Sequence, residues 1–348
     1  MSGALLSLLQ TELPLIQAPM AGSQGSRLAL AVGAAGALGS LPAAMLSADA
    51  LEAELRRLQA AGTPYNVNFF CHTPPEPDPV RDAAWRTRLS HRFDAEFGTD
   101  LRSAPSAAGR VPFSAEAAEL LAAYKPPVVS FHFGLPAPAL LDRVKAWGAV
   151  VMSSATTVAE ARWLQARGAD VVIAQGLEAG GHRGHFLDTD LTLQMGLMAL
   201  LPQVVDAVQV PVVAAGGIGD ARGVRAAMAL GAAGVQVGTA YLLCPEADTS
   251  AVHRRALGSE AAVHTALTNV FSGRPARGVV NRVMREMGPL ADDAPRFPLA
   301  TSALAPLRTE AEARDSGDFS PLWSGQAVGL SRPMPAAELT RALAEGLR

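Results

Sequence analysis

Eight times along this chain a short, mostly apolar run gives way to helix-forming sequence. That repeat limits the possible folds more than any other feature, because an apolar strand followed by a helix is the unit of a parallel sheet. The runs lie at residues 13–18, 36–41, 65–70, 127–133, 149–153, 171–174, 210–215 and 235–239. No G-x-G-x-x-G follows the first of them, which weakens the case for an open dinucleotide-binding sheet. The pattern therefore predicts an α/β chain folded as a (β/α)8 TIM barrel.

Two stretches depart from the repeat. After the third strand, Pro74, Pro75, Pro77 and Pro79 crowd together and an arginine-rich segment follows, so an insertion is expected over about 71–125, with helices near 79–97 and 114–123. After the eighth strand the chain continues to Arg348. Residues 246–270 read as helical, 272–281 are basic and glycine-rich, and 303–314 read as a further helix. The expected organisation is a barrel over 1–243, a mostly helical cap over 244–322 and a return segment to the barrel over 323–348. A cap over the substrate and a stabilising appendage both account for such a tail.

Composition narrows the partners. With 29 basic and 32 acidic residues the net charge is -3, which argues against nucleic acid or an anionic membrane. Residues 28–46 carry no charge and are long enough to raise a membrane-spanning reading, but Gly33, Gly36, Gly39 and Pro42 fit a buried helix, a turn and a second strand better. The amino terminus has no basic region or cleavage site of the secretory kind, and Cys71 and Cys244 match no metal spacing. The expectation is a cytoplasmic protein in a reducing compartment, without a metal; it could assemble as a homo-oligomer.

The chemistry concentrates in residues 170–185, DVVIAQGLEAGGHRGH. A buried strand ends at Gln175 and opens into a loop holding Gly180, Gly181 and His182. In a barrel of this kind the carboxyl ends of the strands carry the active site. His182 is a candidate general base, because an imidazole titrates near neutral pH, and His132 closes strand four at the same end. Asn68 and Gln175 offer carboxamides that suit the edge of a flat heterocycle, an isoalloxazine or a pyrimidine, and equally a satisfied core. Gly217, Gly238 and Thr239 follow the last two strands, where barrels often hold a phosphate on backbone N–H groups.

Four segments, PLIQAPMAG (14–22), DVVIAQGLEAGGHRG (170–184), PVVAAGGI (211–218) and GVQVGTA (234–240), together resemble the nitronate monooxygenase family, formerly called 2-nitropropane dioxygenases. The likeness covers nearly the whole barrel and is most specific in AGGHRG; Ser324-Gly325-Gln326 also resembles a family motif, while residues 71–110 and the tail match least. The resemblance implies an FMN-dependent enzyme that oxidises alkyl nitronates, and in some members nitroalkanes, with O₂ to carbonyl compounds and nitrite. It implies that Ala18, Pro19 and Met20 flank the flavin and that Asn68 and Gln175 hold its polar edge. Gly180, Gly181, Gly217, Gly238 and Thr239 would take the phosphate tail, with Gln326 contributing from the carboxyl-terminal motif. His182 would be the base, His132 would bind the nitro or nitronate oxygens, Arg183 would be a further anion partner and Trp323 would shape the pocket.

Two other readings stay open on the sequence. One is an FMN-dependent, NAD(P)H-using enoyl-thioester reductase on the same barrel, which shares the glycine pattern. The other is a flavin-binding protein without turnover, against which His182 and His132 speak.

Overall fold

The computed structural model describes residues 2–103 and 110–348; Met1 and residues 104–109, inside the expected insertion, lie outside the described residues. Eight parallel strands form the barrel: β1 (Leu15–Gln17), β2 (Gly39–Pro42), β3 (Tyr65–Phe70), β4 (Val128–His132), β5 (Val150–Ala155), β6 (Val171–Gln175), β8 (Val212–Ala215) and β9 (Gly234–Val237). The two-residue strand β7 (Gly181–His182) lies outside it. The strand order is β1-β9-β8-β6-β5-β4-β3-β2, and a parallel bridge between Ile16 and Leu38 joins β1 to β2 and closes the ring.

These strands are buried on both faces, which explains their nearly continuous apolar sequence. Inside the ring, Ile16, Leu38, Val128, Met152, Val171, Ile173 and Val213 stack into one cluster. The helix Ser2–Leu9 contributes Leu5 and Leu9 to that cluster and plugs the amino-terminal end. Gly234, which starts β9, is glycine because a Cβ there would stand 2.5 Å from Leu5 Cδ2.

The helices wrap the outside in the order the sequence predicts. Ser47 caps Ala48–Ala60 by accepting from the Ala50 N–H, and Leu51, Leu55 and Leu58 form its buried stripe. Asp220 caps Ala221–Ala229 through the N–H groups of Arg222 and Gly223. Residues 28–46 resolve into the helix Ser26–Gly33, a turn and β2. Among the described residues no helix is long and apolar enough to cross a membrane.

The helix Ala115–Tyr124 packs between Ala48–Ala60 and Pro138–Ala146, the place of the barrel helix between β3 and β4. The departure from the repeat is therefore the segment before it. There, helix Pro79–Phe97 starts on Asp78, stops at left-handed Gly98 (φ 64°) and buries Trp85, Leu89 and Phe93. Those side chains join Leu304, Leu307 and Ala311 of helix Thr301–Ala313 in one cluster, with Phe93 and Phe319 edge to face at 4.9 Å. Arg282 ties the two parts from outside, 2.6 Å from Glu96 and 2.7 Å from Glu286.

The stretch 246–270 is not helical throughout. It holds helix Ala251–Leu257, a short 3₁₀ turn and then strand β10 (Thr265–Thr268), antiparallel to β11 (Ala276–Val279). Four residues, TALT, carry too little periodicity to separate strand from helix, and the pairing partner decides. β11 also pairs with β7, so the loop after β6 is an edge of the cap's sheet. The chain ends with helix Ala336–Ala344 packed against Ser26–Gly33 and Ala221–Ala229, where Thr340 Oγ1 lies 2.8 Å from Tyr241 Oη.

Candidate active site

A cavity of about 190 Å³ opens at the carboxyl ends of the barrel strands, beneath the cap. Ala18, Pro19 and Met20 enter it from the loop after β1, Asn68 from β3, His132 from β4 and Gln175 from β6. Gly180, Gly181 and His182 line it from the β7 loop, Gly217 from the loop after β8, and Gly238 and Thr239 from the turn after β9. Gln326 does not line it. Its side chain is exposed and its N–H donates to Glu178 O at 3.0 Å, while Gly325 and Ala327 on either side do reach the cavity. A backbone contact, not the carboxamide, is what that motif supplies.

The glycines have separate reasons. Gly216 and Gly217 take φ values of 107° and 69°, which suit glycine and few other residues. Gly180 has no room for a side chain, since a Cβ there would lie 2.5 Å from the Gly325 N. Gly238 differs: a Cβ on it would only touch Ala18 Cβ at 3.4 Å and project into the cavity.

His182 is held from several sides. Its carbonyl accepts from Gln175 Nε2 at 3.0 Å and from His132 Nε2 at 3.1 Å. Gln175 Oε1 in turn accepts from the Gly184 N–H at 2.8 Å, so this carboxamide is spent largely on shaping the histidine loop. His132 engages both ring nitrogens with the protein, Nε2 on that carbonyl and Nδ1 on Ser154 Oγ at 3.1 Å. That leaves it little capacity for the oxygen-binding role the resemblance implied. The His182 ring meets Ser272 Oγ at 2.8 Å through Nε2 and is boxed by Phe297 and Trp323 at 5.3 and 5.4 Å between centroids, with Phe133 and Phe70 beyond.

That box determines the electrostatics. Burial holds the His182 imidazole well below the ordinary histidine value, and the charge of Arg110 adds to the effect. Burial brings His132 to about 4. Both rings are neutral near pH 7. Arg183 is fully buried and donates to Gly176 O at 2.7 Å, Gln175 O at 2.9 Å and Gln194 Oε1 at 2.5 Å. It braces the loop from behind and does not line the cavity, contrary to the anion role expected for it.

Four residues of the site escaped the sequence reading: Gln236 and Arg110 line the cavity, and Ser272 and Phe297 contact the His182 ring. Gln236 had a signal, a polar side chain inside GVQVG, and its Oε1 is buried with no hydrogen-bond partner. Arg110, Ser272 and Phe297 had none, because they reach the site from the insertion and the cap. Among the described residues no group of three or more His, Cys, Asp or Glu could hold a metal ion.

A capped (β/α)8 barrel with a neutral, aromatic-boxed histidine and glycine-rich loops at its mouth is the framework of a barrel enzyme. Comparison with known proteins gives the family. The nitronate monooxygenase family model matches residues 2–346. A nitronate monooxygenase of Pseudomonas aeruginosa is 42% identical over 347 residues, covering 98% of both chains. The solved structure of nitroalkane oxidase from Streptomyces ansochromogenes superposes with a TM-score of 0.89 at 39% identity, over 99% of this chain and 97% of that one. FabK from Thermotoga maritima is more distant, with a TM-score of 0.72 at 26% identity over 98% and 94%. The chain belongs to the nitronate monooxygenase family and is an oxidoreductase.

Proposed function

We propose that this enzyme binds FMN at the barrel mouth and uses O₂ to oxidise alkyl nitronates, and nitroalkanes after loss of a proton, to carbonyl compounds and nitrite. The observation that carries the proposal is His182, a neutral imidazole boxed by aromatic rings beside a glycine-built anion cradle, in a family named for nitronate oxidation. The cavity suits the cofactor. Gln236 Oε1 is an acceptor with no protein donor, and Gly238 keeps open the space a Cβ would fill. Gly217, Gly238 and Thr239 would hold the phosphate, Ala18, Pro19 and Met20 would flank the ring system, and Asn68 and Gln236 would meet its polar edge, with Gln175 holding the histidine loop beside it. When bound, FMN supplies an electron acceptor that O₂ can reoxidise.

The protein's share is binding and proton transfer. Ser272 lies within reach of Arg274 O at 3.4 Å, so its hydroxyl donates there and its oxygen accepts from His182 Nε2–H. Nδ1 is then the basic nitrogen, and it takes the α-proton of a neutral nitroalkane. A nitronate has already lost that proton and needs only to be held. His132 and Gln175 act as positioning residues through the His182 carbonyl, and the Phe297–Trp323 walls exclude water.

The test is the visible spectrum of the purified protein, recorded anaerobically before and after a small alkyl nitronate is added, followed by nitrite and O₂ assays. A bound flavin that bleaches with nitronate and yields nitrite in air is the expected result. Bleaching by NAD(P)H alone moves the assignment to a reductase, and a colourless protein overturns the cofactor.

A further inference from the structure

The cavity is lined by one permanently charged side chain, Arg110, and by no carboxylate. Arg110 is partly buried, and among the described residues no ion pair engages it; residues 104–109 contain no acidic residue either. Of its five N–H donors, one meets Thr301 Oγ1 at a long 3.3 Å. The guanidinium lies 5.8 Å over the Phe297 ring, and Phe297 stands 5.3 Å from the His182 ring, so cation and imidazole pack against the same aromatic residue at one cavity. Its main chain is fixed where it enters the site, since His72 Nε2–H donates to Arg110 O at 3.1 Å.

The neighbouring arginines are otherwise occupied. Arg183 donates to backbone and to Gln194, and Arg277 Nε donates to Leu177 O at 3.0 Å. Arg274 stacks 4.1 Å over Phe133 and donates to His185 O. A cation partly withdrawn from water without a counter-charge loses hydration, and a ligand that brings the counter-charge recovers that loss.

We propose that Arg110 is the anion-binding residue of this cavity, holding the anionic oxygens of the substrate beside His182 and biasing the enzyme toward the nitronate over the neutral nitroalkane. The proposal deepens the function proposed above and rests on it for the identity of the substrate. A planar guanidinium matches two oxygens on one nitrogen as it matches a carboxylate, through paired N–H donors. Its approach from the insertion, not from a barrel strand, makes the anion preference a property of that segment.

The experiment compares wild type with Arg110→Gln and Arg110→Lys, using an alkyl nitronate, its parent nitroalkane and sodium nitrate, a planar anion that cannot be oxidised. In Arg110→Gln, kcat/KM for nitronate relative to nitroalkane falls by about tenfold or more, and nitrate affinity measured by calorimetry falls similarly. Arg110→Lys restores part of both, since it keeps charge without the fork. Wild-type kcat/KM on nitronate declines with ionic strength more steeply than that of Arg110→Gln. Selectivity and nitrate affinity within twofold of wild type in Arg110→Gln overturn the proposal. A merely structural role lowers flavin content and activity on both substrates together, which also overturns it. Nitrate bound through Arg110 in an enzyme that ignores nitronates upholds the anion site and removes the assigned reaction instead.

Discussion

His182 and Ser272 meet at 2.8 Å, Nε2 to Oγ, across the boundary between the barrel's glycine loop and the cap. The barrel sets the position of the histidine backbone through Gln175 and His132, and the cap sets its ring. Replacing Ser272 with Ala frees the ring tautomer without opening the aromatic box. Turnover of neutral nitroalkanes should drop by about fivefold to tenfold, with nitronate turnover much less affected. Steady-state kinetics on both substrates decide it, and equal losses would place Ser272 elsewhere in the mechanism.

Removing the proposed base should have a larger effect. His182→Asn should leave flavin bound while lowering kcat on a neutral nitroalkane by about 10²- to 10⁴-fold. Flavin absorbance and nitrite release from the same preparation separate the two outcomes. Unchanged turnover takes His182 out of proton transfer.

The glycines of the mouth should fail in different ways. Gly238→Leu projects a side chain into the cavity and is expected to cut bound flavin by tenfold or more, on the order of 1.4 kcal/mol, with the fold intact. Gly180→Ala forces a Cβ to within 2.5 Å of Gly325 N and should destabilise the protein by about 1–3 kcal/mol, whatever the flavin content. Cofactor stoichiometry and denaturant midpoints, measured side by side, test both.

Arg183 is expected to act on stability. Its guanidinium satisfies the carbonyls of Gln175 and Gly176 inside the protein, so Arg183→Met should cost about 3–5 kcal/mol. Urea unfolding reads this directly, and a loss below about 1 kcal/mol would return Arg183 to the surface chemistry of the site.

Acid should weaken the fold through its histidines. Burial lowers His72, His132 and His253 to about 4 and His185 to about 3. Below pH ~6.5 the unfolded chain takes up protons that the folded chain refuses, so stability falls as pH falls. Each group costs about 1.4 kcal/mol per pH unit until its folded value is reached, and none costs anything above the unfolded value. Denaturant midpoints between pH 7 and 4.5 should decline more steeply than one proton allows; a level profile would mean these rings are charged in the folded state.

The barrel was legible because its strands are buried and mostly apolar and several exits are marked by glycine or a capping residue, as at Gly216–Gly217 and Asp220. The histidine loop was legible for the same reason. What the sequence concealed depends on distant contacts. Nothing near Arg110 shows that it lines the mouth, and nothing in TALT shows that Thr265–Thr268 pairs with Ala276–Val279. Gln326 shows the opposite case: the motif that drew attention to it meets the site through Gly325 and Ala327, while the Gln326 N–H holds Glu178 O.

The two residues of β7 belong to the barrel by sequence and to the cap by pairing, through Ala276↔His182 and Arg277↔Gly181. A chimera that exchanged caps between family members at the end of the eighth barrel strand would therefore graft a foreign neighbour onto the His182 loop. The transferable module is discontinuous: the cap together with the glycine loop that supplies its third strand.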